Sequence, residues 1–252
     1  MRVGLTGLPG IPDVQPGADL AALICNAAGG TVLDGSVVIA LAHTIVSKAE
    51  GALVALADVI PGERAQQIAI EHGKDPRLVQ VVLDESSEIL RNKRGVIVSR
   101  TRHGLVCANA GVDTSNSTDP ATVVLLPRDP DRSARELRAR IHALSGAETA
   151  PAVLVTDTFG RAWRHGQTDV AIGLAGLAPM EDWRGSTDAT GLELRATWLA
   201  VADAAAGAAD LARRKDSREP VVLIEGLERL ITVEDGPGAA AIIRPGAEDL
   251  FR

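Results

Sequence analysis

Apolar residues along this chain fall into short runs separated by polar and glycine-rich stretches, and the runs predict an alternation of strands and helices. Arg2 to Thr6 reads as a first strand, and Asp19 is placed to cap a helix to about Ala28. Ser36 to Ala42 (SVVIALA) follows a turn at Asp34-Gly35 and has the continuous apolar character of a buried strand. Residues 62–72 and 75–90 show helical spacing, with ESSEILR read as an exposed helix face. Gly95 to Ser99 and Gly104 to Ala108 suggest a hairpin, and Val123 to Leu126 another strand. Ser133 is placed to cap a helix running to about Leu144 that should end at Gly146. Arg195 to Arg213 reads as an alanine-rich helix and Val221 to Ile224 as a last strand. Strands interspersed with helices predict a mixed α/β or α+β fold.

The segment 151–179, PAVLVTDTFGRAWRHGQTDVAIGLAGLAP, concentrates the chemistry. Two apolar runs, Val153 to Val155 and Val170 to Leu177, flank Asp157, Thr158, Arg161, Arg164, His165, Gln167, Thr168 and Asp169. The spacing predicts a long functional loop between two strands, since a simple turn needs only a few residues.

Composition narrows the function. The 252 residues are 46% hydrophobic, raised by alanine, and no apolar run approaches a membrane span. With no signal-peptide pattern at the N-terminus, a cytoplasmic protein is expected. The net charge of −7 and the absence of tyrosine argue against a nucleic-acid partner. Cys25 and Cys107 are too few for a disulfide framework or thiolate metal site. Only four of the 26 basic residues are lysines. One of them, Lys48, lies in HTIVSKAEG just beyond a predicted strand, where either an anion site or a solvated loop residue is expected. The loop GLPGIPDVQPG fits a phosphate-wrapping segment or a rigid connection. CANAGVDTSN fits a hard-cation and nucleotide site or a plain Asx-rich turn.

No GxxxxGK[ST] or strand-linked GxGxxG occurs, so neither a P-loop nor a Rossmann fold is expected. HExxH and GxSxG are also missing.

Six ordered segments together resemble the coenzyme F420-0:L-glutamate ligase (F420 γ-glutamyl ligase) family. They are Gly7 to Pro12, Asp34 to Gly51, Glu85 to Arg91, Cys107 to Asn116, Leu125 to Arg138 and Thr156 to Leu177. The resemblance implies one ligase domain of two lobes over residues 1–252, without a C-terminal flavin reductase domain, and an intertwined homodimer. It implies GTP as co-substrate, Mg²⁺ or Mn²⁺, and K⁺. The expected reaction attaches L-glutamate to the terminal carboxylate of the deazaflavin precursor F420-0 and extends a γ-linked tail through an acyl phosphate. Carried over by motif, Leu8, Pro9, Gly10 and Ile11 correspond to a GTP loop, with His43, Thr44, Lys48 and Asn116 as further nucleotide contacts. Asp113 and Asp157 correspond to metal carboxylates and Thr158 to a second metal contact. Lys48, Asp113 and Asp157 are the expected catalytic groups. The chain departs from the family at RRKDSRE, residues 213–219, where Lys215 stands in place of a metal ligand and a cation cannot coordinate one. Two rival readings are a catalytically silent nucleotide- or deazaflavin-binding protein and an amide ligase for another carboxylate.

Overall fold

The computed structural model describes residues 2–115, 119, 121–214 and 216–249. Its centre is a five-stranded sheet in the order β1-β12-β2-β8-β9, built from β1 (Gly4–Gly7), β12 (Val221–Glu225), β2 (Val37–Ala42), β8 (Ala152–Arg161) and β9 (Arg164–Ala175). β2 and β8 run parallel; the other three pairings are antiparallel. The strands predicted from apolar runs are the middle of this sheet, and both of its faces are covered. Val37, Ile39 and Leu41 enter one apolar cluster while Val38 and Ala40 enter another, so alternation along β2 serves two cores and the sequence reads as uninterrupted.

On the first face lie α1 (Leu20–Ala28), α2 (His43–Ala49) and α5 (Pro130–Ser145), contributing Ile24, Val46 and Ile141 to the core. Asp19 caps α1 by accepting a hydrogen bond from the Ala22 amide. Gly146 ends α5 in the left-handed conformation, while Asp129, rather than Ser133, caps its start. The second face is covered by α6 (Val201–Ala212). This helix starts later than the predicted Arg195, because Trp198 and Leu199 form a short strand, β11, with Glu181 and Asp182 of β10. Ala202, Ala205, Ala206 and Ala209 of α6 are buried against the chain's own sheet, where their small side chains allow close packing.

A parallel β2–β8 pairing requires a crossover, and the intervening chain carries a second set of elements. β3 (Leu53–Ala55) pairs with β7 (Thr122–Val124), and β4 (Ser86–Lys93), β5 (Val96–Thr101) and β6 (Val106–Ala108) form an antiparallel sheet. Helices α3 (Glu63–His72) and α4 (Pro76–Asp84) pack with these strands, Val79 and Val82 of α4 in one small cluster and Val81 in another.

Three local expectations are corrected. ESSEILR is strand β4 rather than the end of a helix; bulges between Ser86 and Glu88 and between Ile89 and Arg91 break its alternation and hide the strand period. HTIVSKA is helix α2 rather than a loop, with His43, Ile45, Val46 and Ser47 buried. The dozen-residue functional loop of segment 151–179 is the outer half of the β8–β9 hairpin, closed by a turn at Ala162-Trp163. These outer arms are polar because they extend past the core, where ladder hydrogen bonds rather than burial hold the strands.

Candidate active site at the root of a hairpin

The residues singled out from sequence gather around α2. This helix touches β7 and β8, and its C-terminal Ala49 carbonyl accepts from the Gly17 amide, tying the 8–17 loop to it. Within that loop Leu8 and Ile11 are buried in the core, whereas Pro9 and Gly10 are exposed. The Leu8 amide donates to the Val221 carbonyl and fixes where the loop leaves the sheet. Lys48 lies on α2 and donates to Asp13 Oδ1 over 2.8 Å, with 14% of its side chain exposed. It is therefore a positioned helix residue and not a solvated loop lysine.

His43 opens α2, and its ring is 3% exposed. Its Nδ1 lies 3.3 Å from Ser47 Oγ, one helical turn on, and its Nε2 lies 3.4 Å from Asp157 Oδ1. Asp157 occupies the point on β8 where burial gives way to exposure. The Thr158 amide donates to Asp157 Oδ1 over 2.7 Å. Among the described residues, no hydrogen bond reaches Asp157 Oδ2.

On the other side of β8, Thr158 pairs across the hairpin with Asp169. Asp169 Oδ1 accepts from Thr158 Oγ1 over 2.7 Å, and Oδ2 accepts from Thr156 Oγ1 and Arg213 Nη1, each over 2.8 Å. Arg213 follows α6 directly and also reaches Thr156 Oγ1 and the Ala40 carbonyl. In sequence, Asp169 falls in the polar stretch of segment 151–179 and Arg213 at the start of RRKDSRE, but neither is given a role. The available signal is an ionisable residue that opens an apolar strand run, next to threonines two positions apart on the partner strand.

Asp113 is reached through β6, which lies beside β8, and a tight turn in which Asn109, Ala110 and Gly111 all have positive φ. Its backbone bridges Val124 of β7 in both directions at 2.9 Å, and its Oδ1 accepts from the Ser115 amide and hydroxyl, both at 2.7 Å. The Asx turn expected from composition is thus present at Asp113, in the connection that follows β6 and bridges to β7. Asn116 and Lys215 lie outside the described residues.

The donor types suit a hard divalent cation: carboxylate and hydroxyl oxygens, with the nearby thiol disqualified. Burial, reinforced by the Asp157 charge, pushes the Cys107 thiol up to about 12, so it stays protonated and offers no thiolate. Among the described residues no three His, Cys, Asp or Glu side chains form a ready cage.

The sequence profile described as F420-0:Gamma-glutamyl ligase matches residues 10–226. The chain belongs to the F420-0:gamma-glutamyl ligase family. It is 46% identical over 241 residues to the coenzyme F420:L-glutamate ligase of Methanopyrus kandleri, covering 95% of this chain and 93% of that one. It is 44% identical over 256 residues to the protein of the same name from Methanothermobacter thermautotrophicus, with both chains fully covered. A third, from Methanocaldococcus jannaschii, is 38% identical over 220 residues, covering 87% and 85%. Family membership accounts for the ordered motifs at 34–51, 107–116 and 156–177, of which the first carries α2 and the last the outer part of β8. Among the described residues no helix is long and apolar enough to cross a membrane.

Proposed function

We propose that this chain is a coenzyme F420:L-glutamate ligase that joins L-glutamate to F420-0 at the expense of GTP. The observation that carries the reading is the near end-to-end likeness to ligases of that name, at 44–46% identity. Amide formation from a carboxylate needs activation, because the carboxylate is a poor electrophile. A terminal carboxylate oxygen of F420-0 attacks the γ-phosphorus of GTP, the β–γ bridging bond breaks, and GDP leaves. The α-amine of glutamate then attacks the acyl carbon, the acyl–phosphate bond breaks, and inorganic phosphate leaves as the amine gives its proton to solvent. Repetition at the γ-carboxylate of the added glutamate extends the tail.

In this reading Asp113 and Asp157 hold one divalent ion, with Thr158 as a second contact. Mg²⁺ or Mn²⁺ there supplies charge neutralisation for the phosphate oxygens. Asp157 is prepared for that role by the Thr158 amide and the His43 ring, which engage Oδ1 and, among the described residues, leave Oδ2 without a hydrogen bond. Lys48 exchanges Asp13 for a nucleotide phosphate, placing a positive charge where negative charge develops. Pro9, Gly10, Thr44 and Asn116 contact the nucleotide, while Leu8, Ile11 and His43, buried as side chains, do so through backbone. K⁺ serves as a further cation, and the working unit is a homodimer of two-lobed subunits.

Incubation with GTP, Mn²⁺, L-glutamate and F420-0, with product masses as the readout, tests the reading. Stepwise addition of glutamyl units with GDP release supports it. Tight binding of GTP or F420-0 without any product overturns it in favour of a silent binding protein.

A further inference from the structure

We infer that Asp169 is a positioning residue for the reaction: through Thr158 it sets the direction in which the β8 hydroxyl presents its lone pairs, and Arg213 holds it in place. The inference rests on the reading of Thr158 as a metal contact, and adds to it a residue to which no role has been given.

Asp169 is 2% exposed, and a carboxylate that deep is costly unless its oxygens are satisfied. Three donors satisfy it: Thr158 Oγ1 at 2.7 Å on one oxygen, and Thr156 Oγ1 and Arg213 Nη1 at 2.8 Å on the other. A threonine hydroxyl has one proton and two lone pairs. Because the Thr158 proton is committed to Asp169 Oδ1, both lone pairs point away from Asp169, the orientation that coordination of a cation requires. Loss of that acceptor removes the bond that directs the hydroxyl proton toward β9, and with it the constraint this bond places on the lone pairs.

The same carboxylate also secures Asp157. Thr156 and Thr158 flank Asp157 on β8, and both are pinned to one side chain on β9, so the strand between them is held against rotation. A register shift between Val155 and Thr156 loosens the ladder at this point, which gives the side-chain link more to do. Arg213 extends the link to the Ala40 carbonyl at 3.3 Å, so three adjacent strands and the end of α6 meet at one carboxylate. Arg213 Nε is buried without a partner among the described residues, a cost that the other contacts of the guanidinium offset. Outer groups that orient metal ligands change metal affinity by about 10–100-fold when removed.

The test is Mn²⁺ affinity, read from the free-ion paramagnetic resonance signal with and without GTP, in a cycle of Asp169→Asn and Thr158→Ala. Asp169→Asn is expected to weaken Mn²⁺ binding about 10–100-fold while the near-ultraviolet circular dichroism of the metal-free protein is unchanged. In the Thr158→Ala background the same substitution should add little, because its route of action is already gone. Additive losses in the cycle would overturn the inference, since a merely structural residue acts independently of Thr158. Wild-type Mn²⁺ affinity in Asp169→Asn would overturn it as well, leaving the metal-ligase reading intact. Absence of Mn²⁺ binding by the wild-type protein would instead sink the metal-ligase reading itself. If Asp169→Asn does not fold, the double variant Asp169→Asn/Arg213→Met removes the buried pair as a unit and leaves no unpaired charge. The same cycle is then run on that variant, with the same outcomes deciding.

Discussion

His43 Nε2 stands 3.4 Å from Asp157 Oδ1, so the first residue of α2 and the residue where β8 leaves the core are in direct electrostatic contact. With Ser47 Oγ on the other ring nitrogen, the imidazole bridges helix and strand and fixes the carboxylate's direction. Asp157→Asn preserves size and removes charge. It should abolish metal-dependent GTP turnover while the melting temperature of the metal-free protein stays nearly the same, and Asp113→Asn should behave alike. Near wild-type turnover at limiting Mn²⁺ in either variant would show that the two carboxylates do not share an ion.

Lys48 is paired with Asp13 over 2.8 Å. Lys48→Ala should lower GTP affinity roughly ten- to a hundredfold, as for the loss of a contact between ionised groups worth about 1.5–3 kcal/mol. Asp13→Asn removes the competing partner and should leave GTP affinity equal or higher. Calorimetric titration checks both, and an unchanged affinity in Lys48→Ala would confine that lysine to its ion pair.

The imidazole of His103 connects the β5–β6 turn to the loop before α5, with Nε2 at 3.0 Å from the Pro127 carbonyl and 3.2 Å from that of Arg128. Among the described residues its Nδ1 is buried without a partner, so a second proton has nowhere to go. Burial, the largest influence, holds His103 below its ordinary value of 6.5. The unfolded chain is then the stronger proton binder. Stability from this group is complete above pH of about 6.5 and is lost as pH falls from there through the lower folded value. The melting temperature of the wild type should fall over that range more than that of His103→Gln. Parallel curves for the two proteins would contradict the assignment.

Gly173 on β9 faces α5 at a distance that excludes any side chain: a Cβ there would sit 2.3 Å from the Pro130 carbonyl oxygen. Gly173→Ala should destabilise the protein by about 1–3 kcal/mol, the usual range for overpacking, and lower its melting temperature. Gly160, farther out on the same hairpin, has nothing within 4 Å of where an added methyl would lie, and Gly160→Ala should be close to neutral. Equal effects at the two positions would mean that α5 yields more easily than its packing suggests.

The sequence was informative wherever burial alone decided structure. β2, β12 and the inner halves of β8 and β9 are continuous apolar runs, and α1 and α5 end at glycines in the left-handed conformation. It was uninformative where polar residues are buried or strands are exposed. α2 hides His43 and Ser47, which read as loop residues, and the outer arms of β8 and β9 carry polar residues on both faces. Asp157, Thr158, His43 and Lys48 could be named from motifs; the structure sets His43 and Lys48 on α2, Asp157 against His43, and Thr158 against Asp169 across the hairpin. Asp169 and Arg213 are noted as residues but given no role, because their importance lies in a meeting of β9 with the end of α6, 44 positions apart in the chain.

The β8–β9 hairpin is clamped in the sheet at one end and projects beyond the core at the other, with Trp163 at its outer tip 86% exposed. Mechanically it is a cantilever, and in a cantilever the bending moment from any load at the tip is greatest at the clamp. That clamp coincides with Thr156, Asp157, Thr158 and Asp169. Whatever settles on the tip therefore delivers its torque to these four residues, with the length of the outer arms as the lever and the Asp169 junction as the fulcrum.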